Sequence, residues 1–534
     1  MTVPDRLQLQ DRPTTTAVLL AVVSAITYAG ALPNAIIPYG SPVVGLVALV
    51  PLYVAFRIAP RPRTAMITGA VFGALSTVLA NFWLGNFGEF AVWTLGGPTV
   101  GYTVYNTVLG LVLHMQMRHW TKSRPLAFAV TWTGYELLKS IGYLGYPWGL
   151  AAYTFGGVLP MMQIADVTGV YGLSFLVVYA NTTIGELAMT AQRMRRAPAL
   201  KHAVVVLVLI VATAGYGTFR LNSQPEPADA MRALLVQQNT DSWEADNLDH
   251  ALSVLQRLST AENDRKHDVI IWSENSLTRP YIEERNRFYA RNPEPVSFRR
   301  FVSDLDAPLL TGSPYLPDDV PDGAWNAVIL IEPGTGDVLD RYGKRQLVPF
   351  AEHIPLWEVP AVRSFFQNVV GLRPPWTPAD ERVLFDLPTR DGTARAGVPI
   401  SFEGAFASLT RDFTQGGADL IINMTNNSWS QSDSAQYQQF VVTRFRAIES
   451  RRPVAIATIS GLTSVVDIDG AKLDSIPMFE EAALSAEVPL YDRSSLSVYH
   501  RIGDTFGWIM VIVAAMSFLW ITARERKMSR DGKK

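Results

Sequence analysis

Three short stretches of the chain carry the residue types that acyl chemistry needs. Gly397-Val-Pro-Ile-Ser-Phe-Glu-Gly404 is an apolar run that stops abruptly at a hydroxyl and then a carboxylate. A strand ending at such an elbow holds a nucleophile clear of its own backbone at the edge of a sheet. His267-Asp-Val-Ile-Ile-Trp-Ser-Glu274 is a second buried-strand run that ends in a carboxylate. Tyr342-Gly-Lys-Arg-Gln-Leu-Val-Pro-Phe-Ala-Glu352 supplies a lysine and a further glutamate. A carboxylate within reach of a hydroxyl can take its proton, and an ammonium can stabilise the alkoxide that forms on a carbonyl oxygen. Each residue also has a plainer reading. Glu274 could cap a helix, Lys344 could sit in an ordinary basic loop beside Arg341 and Arg345, and Glu352 could be its ion-pair partner.

The elements that would position these groups fall into two parts. At 534 residues the chain is too long for one ordinary domain. A net charge of -2 gives no electrostatic case for nucleic acid. The absence of cysteine excludes disulfides, thiolate metal sites and a cysteine nucleophile. The seven histidines, His267 and His353 among them, form no ligand-spaced cluster, so neither a metal nor a cofactor is expected.

From Thr15 to Phe219, and again near the C-terminus, apolar runs of roughly 17–25 residues recur, the length that crosses a bilayer as helix. Spans are expected near 15–33, 42–57, 64–84, 92–115, 125–142, 163–188, 202–219 and 506–523. The first lacks a small-residue cleavage site and is read as a retained helix. Arg57, Arg61 and Arg63 follow the second span, Arg118, Lys122 and Arg124 the fourth, and Arg193, Arg195, Arg196 and Lys201 the sixth. The tail adds Arg524, Arg526, Lys527, Arg530, Lys533 and Lys534, whereas loops 34–41, 85–91 and 143–162 hold no Lys or Arg. Basic loops stay cytoplasmic, so both termini are expected inside and residues 220–500 on the far side. Glu136 and Lys139, one turn apart on the fifth span, read either as a self-neutralising pair or as groups at a lipid entry. Pro147-Trp148 suits an interfacial aromatic belt, and Gly169-Val-Tyr-Gly-Leu-Ser174 suits close helix packing.

Beyond Gln224-Pro-Glu-Pro the pattern becomes that of an α/β domain. Strands are expected at Met231–Asn239, Val269–Trp272, Asp419–Met424 and Val454–Ile459, and helices at Leu248–Leu258 and Gln436–Ser450. Hairpins are expected across Asn326–Leu339 and at Asp467-Ile-Asp-Gly470. The predicted domains are 1–222 (seven spans), 223–495 (a layered α/β sandwich) and 496–534 (a last span and basic tail).

The order Glu, Lys, nucleophile resembles the Glu-Lys-Cys arrangement of the nitrilase superfamily, with Ser401 where that superfamily carries cysteine. Over nearly the whole length the chain resembles bacterial apolipoprotein N-acyltransferase. The resemblance is carried by Glu-Leu-Leu-Lys and Gly-Tyr-Pro-Trp within 136–148, residues 169–174, and Val236-Gln-Gln-Asn239 with Trp243. It continues through Trp272-Ser-Glu274, residues 344–352, Asn427-Ser-Trp429 and Arg444-Phe-Arg-Ala-Ile-Glu449. It implies an α-helical membrane bundle of about eight spans bearing an αββα nitrilase-like sandwich, in the inner membrane of a bacterium. It also implies a two-step reaction: an acyl chain passes from a phospholipid to the enzyme, then to the α-amino group of a diacylglyceryl-modified lipoprotein cysteine. The protein is expected to act as a monomer. Carried over, Glu274 is the general base, Lys344 the oxyanion donor and Ser401 the nucleophile. Glu352 and Glu403 orient the lysine and the amine, and Trp243 helps to close the acyl pocket. Phe402 keeps the bulk of the family's tyrosine, Asn427 lies in a supporting motif, and Trp429 is either part of the site or packing. Residues Val359–Arg382, rich in Pro, Gly and aromatics, are a candidate lid.

Ser401 changes the chemistry. A hydroxyl is un-ionised near neutral pH and depends wholly on its base, whereas a thiol beside a lysine is partly thiolate. Three readings follow: a deliberate inactivation, a natural serine enzyme, or a pseudoenzyme that binds lipid or lipoprotein without chemistry. A membrane-tethered amidase and a transporter are further alternatives, the latter disfavoured by the lack of an inverted repeat.

Overall fold

The computed structural model describes residues 13–190, 197–240, 248–261, 266–318, 323–370, 376–492 and 496–531. The chain divides into two units, one of residues 1–141, 145–222 and 504–534, the other of residues 142–144 and 223–503.

The first unit is helical. Among the described residues, four of its helices are long and apolar enough to cross a membrane: Pro13–Ala31, Pro62–Ala80, Ala197–Asn222 and the segment Thr505–Arg530. The last two leave Leu207, Val208, Val211, Ile512, Met516 and Leu519 more than half exposed, a lining that hydrocarbon accommodates and water does not. The other four expected spans fall short of that standard for local reasons. The second breaks into Pro42–Gly45 and Val50–Ile58. Gly96–His119 buries Asn106, His114 and Gln116, Arg124–Ser140 buries Glu136 and Lys139, and Val170–Thr190 buries Asn181, Thr182 and Glu186. Several of these polar groups find partners within the unit. Asn181 Nδ2 donates to the Gly45 carbonyl at 2.7 Å, and Glu186 meets Tyr53, Arg57 and Arg124. Glu136 accepts from Trp132 Nε1 and the Ala151 N–H, while Lys139 donates to the Trp148 carbonyl rather than to Glu136. The pair therefore secures the chain that follows its helix.

The second unit is built on two six-stranded sheets. The first holds β1 (Asp229–Gln237), β2 (Val269–Trp272), β3 (Leu309–Tyr315), β4 (Trp325–Ile331), β5 (Val338–Gly343) and β12 (Ala482–Leu490), in the order β12-β1-β2-β3-β4-β5. The second holds β6 (Leu384–Pro388), β7 (Thr393–Gly397), β8 (Leu420–Thr425), β9 (Val454–Thr458), β10 (Ser464–Val466) and β11 (Lys472–Ser475), in the order β11-β10-β9-β8-β7-β6. Strands β1, β2 and β3 run parallel, as do β7, β8 and β9. Of these, β2, β8 and β9 are buried at every residue, as strands of a sheet covered on both faces are. Leu252 and Leu255 of helix Leu248–Ala261 and Phe298 and Phe301 of helix Phe298–Ser303 pack on Leu234, Ile270 and Trp272. Between the sheets, Gln237 Oε1 accepts from Thr458 and Thr463 at 3.1 and 2.8 Å.

The topology fixes one edge. Glu274 lies just past the carboxyl end of β2. Strand β4 is antiparallel to β3, and β5 to β4, so β5 runs with β2 and Lys344 leaves it at the same edge. Asn326, near the start of the reversed strand β4, lies there too. In the second sheet, Ser401 follows β7 and Asn426 follows β8.

Candidate active site

Two carboxylates and one ammonium meet at that edge. Lys344 Nζ lies 3.2 Å from Glu274 Oε1 and 2.8 Å from Glu352 Oε1, with the lysine only 1 % exposed. Burial alone would drive this ammonium toward its neutral form. The Glu274 and Glu352 carboxylates outweigh it and hold the lysine above its ordinary range, so it stays charged at neutral pH. Asn326 Nδ2 donates to the same two oxygens, at 2.7 and 3.2 Å. A neutral amide and a cation thus bridge one pair of carboxylates. The main chain completes the cradle. The Asn426 N–H reaches Glu274 Oε2 at 2.6 Å, and the Val348 N–H reaches Glu352 Oε2 at 2.8 Å.

Ser401 sits on the elbow itself. Strand β7 ends at Gly397, and Pro399, which has no N–H, lies outside the ladder; only Ile400 makes a further bridge, to Met424. Ser401 then turns left-handed at φ +52° and opens a 3₁₀ turn, Ser401–Ala405. A left-handed non-glycine residue costs roughly 1–2 kcal/mol, so the surrounding contacts must enforce it. Asn423 Nδ2 does so from β8, donating to the Pro399 carbonyl at 2.9 Å and the Ser401 carbonyl at 3.3 Å. Strand β8 therefore anchors the serine through Asn423 and Glu274 through Asn426.

Glu403 ties the lysine to the elbow. It is fully buried and accepts from the Arg345 and Gln346 N–H groups at 2.6 and 2.9 Å, from the Ile400 N–H at 2.8 Å, and from the Tyr342 hydroxyl. Burial pushes its carboxyl up, against the pull of those donors and of Lys344. Its expected part in orienting the lysine and an amine does not match this position: both oxygens are used by the protein. It clamps the residue after Lys344 to the residue before Ser401. Asn427 departs in the same way, since its side chain bonds Gln436 in a buried cluster with Ser430. Trp429 is half-buried, its Nε1 bonded to the Asn426 carbonyl at 3.2 Å, and Phe402 stands edge-on to Phe406 at 4.9 Å. Trp243 lies outside the described residues, as do 371–375 of the expected lid.

Asn326, Asn423 and Asn426 carry no signal in the sequence, because each matters only through the strand pairing that delivers it. Replacing Asn326 with leucine removes one donor from each carboxylate and is expected to destabilise the folded state by about 1–3 kcal/mol. Denaturant melts would measure the effect. Gly312 marks a second dependence. A Cβ on this β3 residue would lie 2.3 Å from the Asn275 nitrogen and 2.8 Å from the Glu274 Cα. Gly312→Ala is expected to destabilise by roughly 1–3 kcal/mol, read as a lowered melting midpoint, and to displace Glu274.

Comparison with known sequences decides the lineage. Residues 28–183 match the apolipoprotein N-acyltransferase N-terminal domain model, and residues 232–496 match the carbon-nitrogen hydrolase model. Apolipoprotein N-acyltransferase 2 of Treponema denticola is 34% identical over 95% of this chain and 98% of its own length. The chain belongs to the apolipoprotein N-acyltransferase family. The protein of the same name from Treponema pallidum is 35% identical over 94% of each chain, and apolipoprotein N-acyltransferase of Borreliella burgdorferi is 30% identical over 95% of each. Within this family the two-sheet unit is the carbon-nitrogen hydrolase, or nitrilase-like, part of the chain.

Proposed function

We propose that this apolipoprotein N-acyltransferase family member transfers an acyl chain from a phospholipid to the α-amino group of a diacylglyceryl-modified lipoprotein cysteine, through an ester on Ser401. The observation that carries the reading is the buried Lys344 ammonium held between Glu274 and Glu352, in a segment that Glu403 ties to the Ser401 elbow. Glu274 takes the hydroxyl proton as Ser401 Oγ attacks the ester carbon of the lipid. Two of the three Lys344 donors engage carboxylates, which leaves one for the oxygen that becomes negative. Collapse expels the lysophospholipid alcohol, which recovers the proton from Glu274. The lipoprotein amine then attacks the Ser401 ester, Glu274 accepts its proton, and Ser401 leaves with that proton. Glu352 fixes the lysine, while Glu403 supports the elbow from behind. Trp243, Phe402 and Trp429 belong to the acyl side of the same reading.

The chain is read as eight spans of a bacterial inner membrane, with domains 1–222, 223–495 and 496–534 and the α/β unit outside the cytoplasm. The support is the alternation of basic loops with loops free of Lys and Arg, together with the lipid-suited faces of Ala197–Asn222 and Thr505–Asp531. The reaction is tested with purified protein in phospholipid micelles and a diacylated lipopeptide, following amide-linked acyl product by mass spectrometry. Absence of product from both this chain and its Ser401→Cys form would overturn it.

A further inference from the structure

Residues Gly142–Leu144 group with the α/β unit, although Ile141 before them and Gly145 after them group with the helical one. Within the α/β unit, Tyr143 meets the loop between Lys344 and His353 at two points. Its carbonyl accepts from Gln346 Nε2 at 3.2 Å, and its ring stands edge-on to His353, centroids 5.8 Å apart at 72°. Those two partners lie close in sequence to the two members of the ion pair, Lys344 and Glu352. Gln346 lies two residues after Lys344, and its N–H is one of the donors to Glu403. His353 directly follows Glu352, and its carbonyl accepts from the Phe350 N–H at 2.7 Å. Phe350 is itself left-handed, at φ +66°, so the loop adopts a shape that its own residues do not favour.

The His353 ring is 9 % exposed, and its Nδ1 has no hydrogen-bond partner. Packing therefore contributes strongly to holding it, and Tyr143 supplies an aromatic face of that packing. Arg363, Trp357 and Phe366 lie further along the loop and make their own contacts.

We propose that Tyr143 is a positioning residue for the Lys344–Glu352 pair, acting through the His353 ring and the Gln346 side chain. The inference rests on the reading of Lys344 and Glu352 as groups of the reaction. Its consequence is that three residues following helix Arg124–Ser140 set the register of the lysine in the site.

The test uses Ser401→Cys protein, whose thiol, in the proposed site, reports the Lys344 ammonium without any need for turnover. Iodoacetamide labelling is followed against pH for this parent and for Tyr143→Ala, Tyr143→Phe and Lys344→Met made in it, with thermal melts alongside. Tyr143→Ala is expected to slow labelling about threefold or more at neutral pH, the scale of coupling between residues in contact, and to move the labelling midpoint to higher pH. Tyr143→Phe, which keeps the ring and the main chain, should label like the parent. If Lys344→Met shifts the midpoint while Tyr143→Ala leaves it in place, Tyr143 has no positioning role. If Lys344→Met leaves it in place, the reading of the site fails and this inference falls with it.

Discussion

Ser401→Cys is expected to raise the rate of acyl-enzyme formation by on the order of a hundredfold or more over the unmodified chain. The site explains the direction. A thiol is acidic enough to ionise, and the Lys344 ammonium, held charged above its ordinary range by two carboxylates, favours the thiolate. The serine hydroxyl gains little from that field, since its proton must move during attack, in the proposed reaction to Glu274. The second step changes in the same direction, because an amine attacks a thioester faster than an oxygen ester. Intact-protein mass after exposure to phospholipid reads the first step as an added acyl group, and lipopeptide product reads the second. Equal, rapid turnover by both forms would mean that the site is tuned for the hydroxyl. An acyl adduct on the cysteine form that is never passed to the lipopeptide would overturn amine transfer while leaving lipid cleavage standing.

The parts of this arrangement differ in how plainly the sequence announced them. Val269–Trp272 reads as a buried strand because four apolar residues, two of them isoleucine, end at Ser-Glu; the structure gives the same four residues. Asp419–Met424 and Gln436–Ser450 read nearly as well, since uniform burial and helical spacing are local signals. Strand β7, Thr-Ala-Arg-Ala-Gly, has no apolar run, and its place beside β8 is dictated by pairing alone. The apolar stretch Val398-Pro-Ile400 reads as the end of a strand, yet Pro399 cannot join a ladder, and the elbow lies beyond the sheet proper. Lys344, Glu274 and Glu352 are recognisable as a set of charges. Asn326 is not, because it arrives at the same edge only through the reversal at β4. Glu403 is conspicuous in sequence for the opposite reason: a carboxylate two residues after the nucleophile suggests contact with substrate, whereas four donors from the protein enclose it.

Lys344→Met is expected to destabilise the α/β unit by about 3–5 kcal/mol as well as to abolish acyl transfer, because breaking a buried charge cluster leaves its partners uncompensated. Methionine fills the lysine stem but leaves Glu274 and Glu352 facing a shared space with Asn326 as their common remaining side-chain donor. The sign of the pH dependence separates this cause from simple loss of packing. In the parent, the lysine is raised in the folded state. Its contribution is therefore fully present below the unfolded lysine range near pH ~10.4 and is lost only as pH rises through the higher folded value. The deficit of the variant against the parent should therefore narrow as pH rises past ~10.4, which urea midpoints of both forms at pH 7 and pH ~11 would display. A second change, Glu352→Gln in the Lys344→Met background, should restore much of the stability at pH 7 by removing one of the two charges, without restoring acyl transfer. A deficit in Lys344→Met that is flat across that pH range, and unrelieved by Glu352→Gln, would mean that the lysine acts as a filler of space rather than as the charge that holds the two glutamates together.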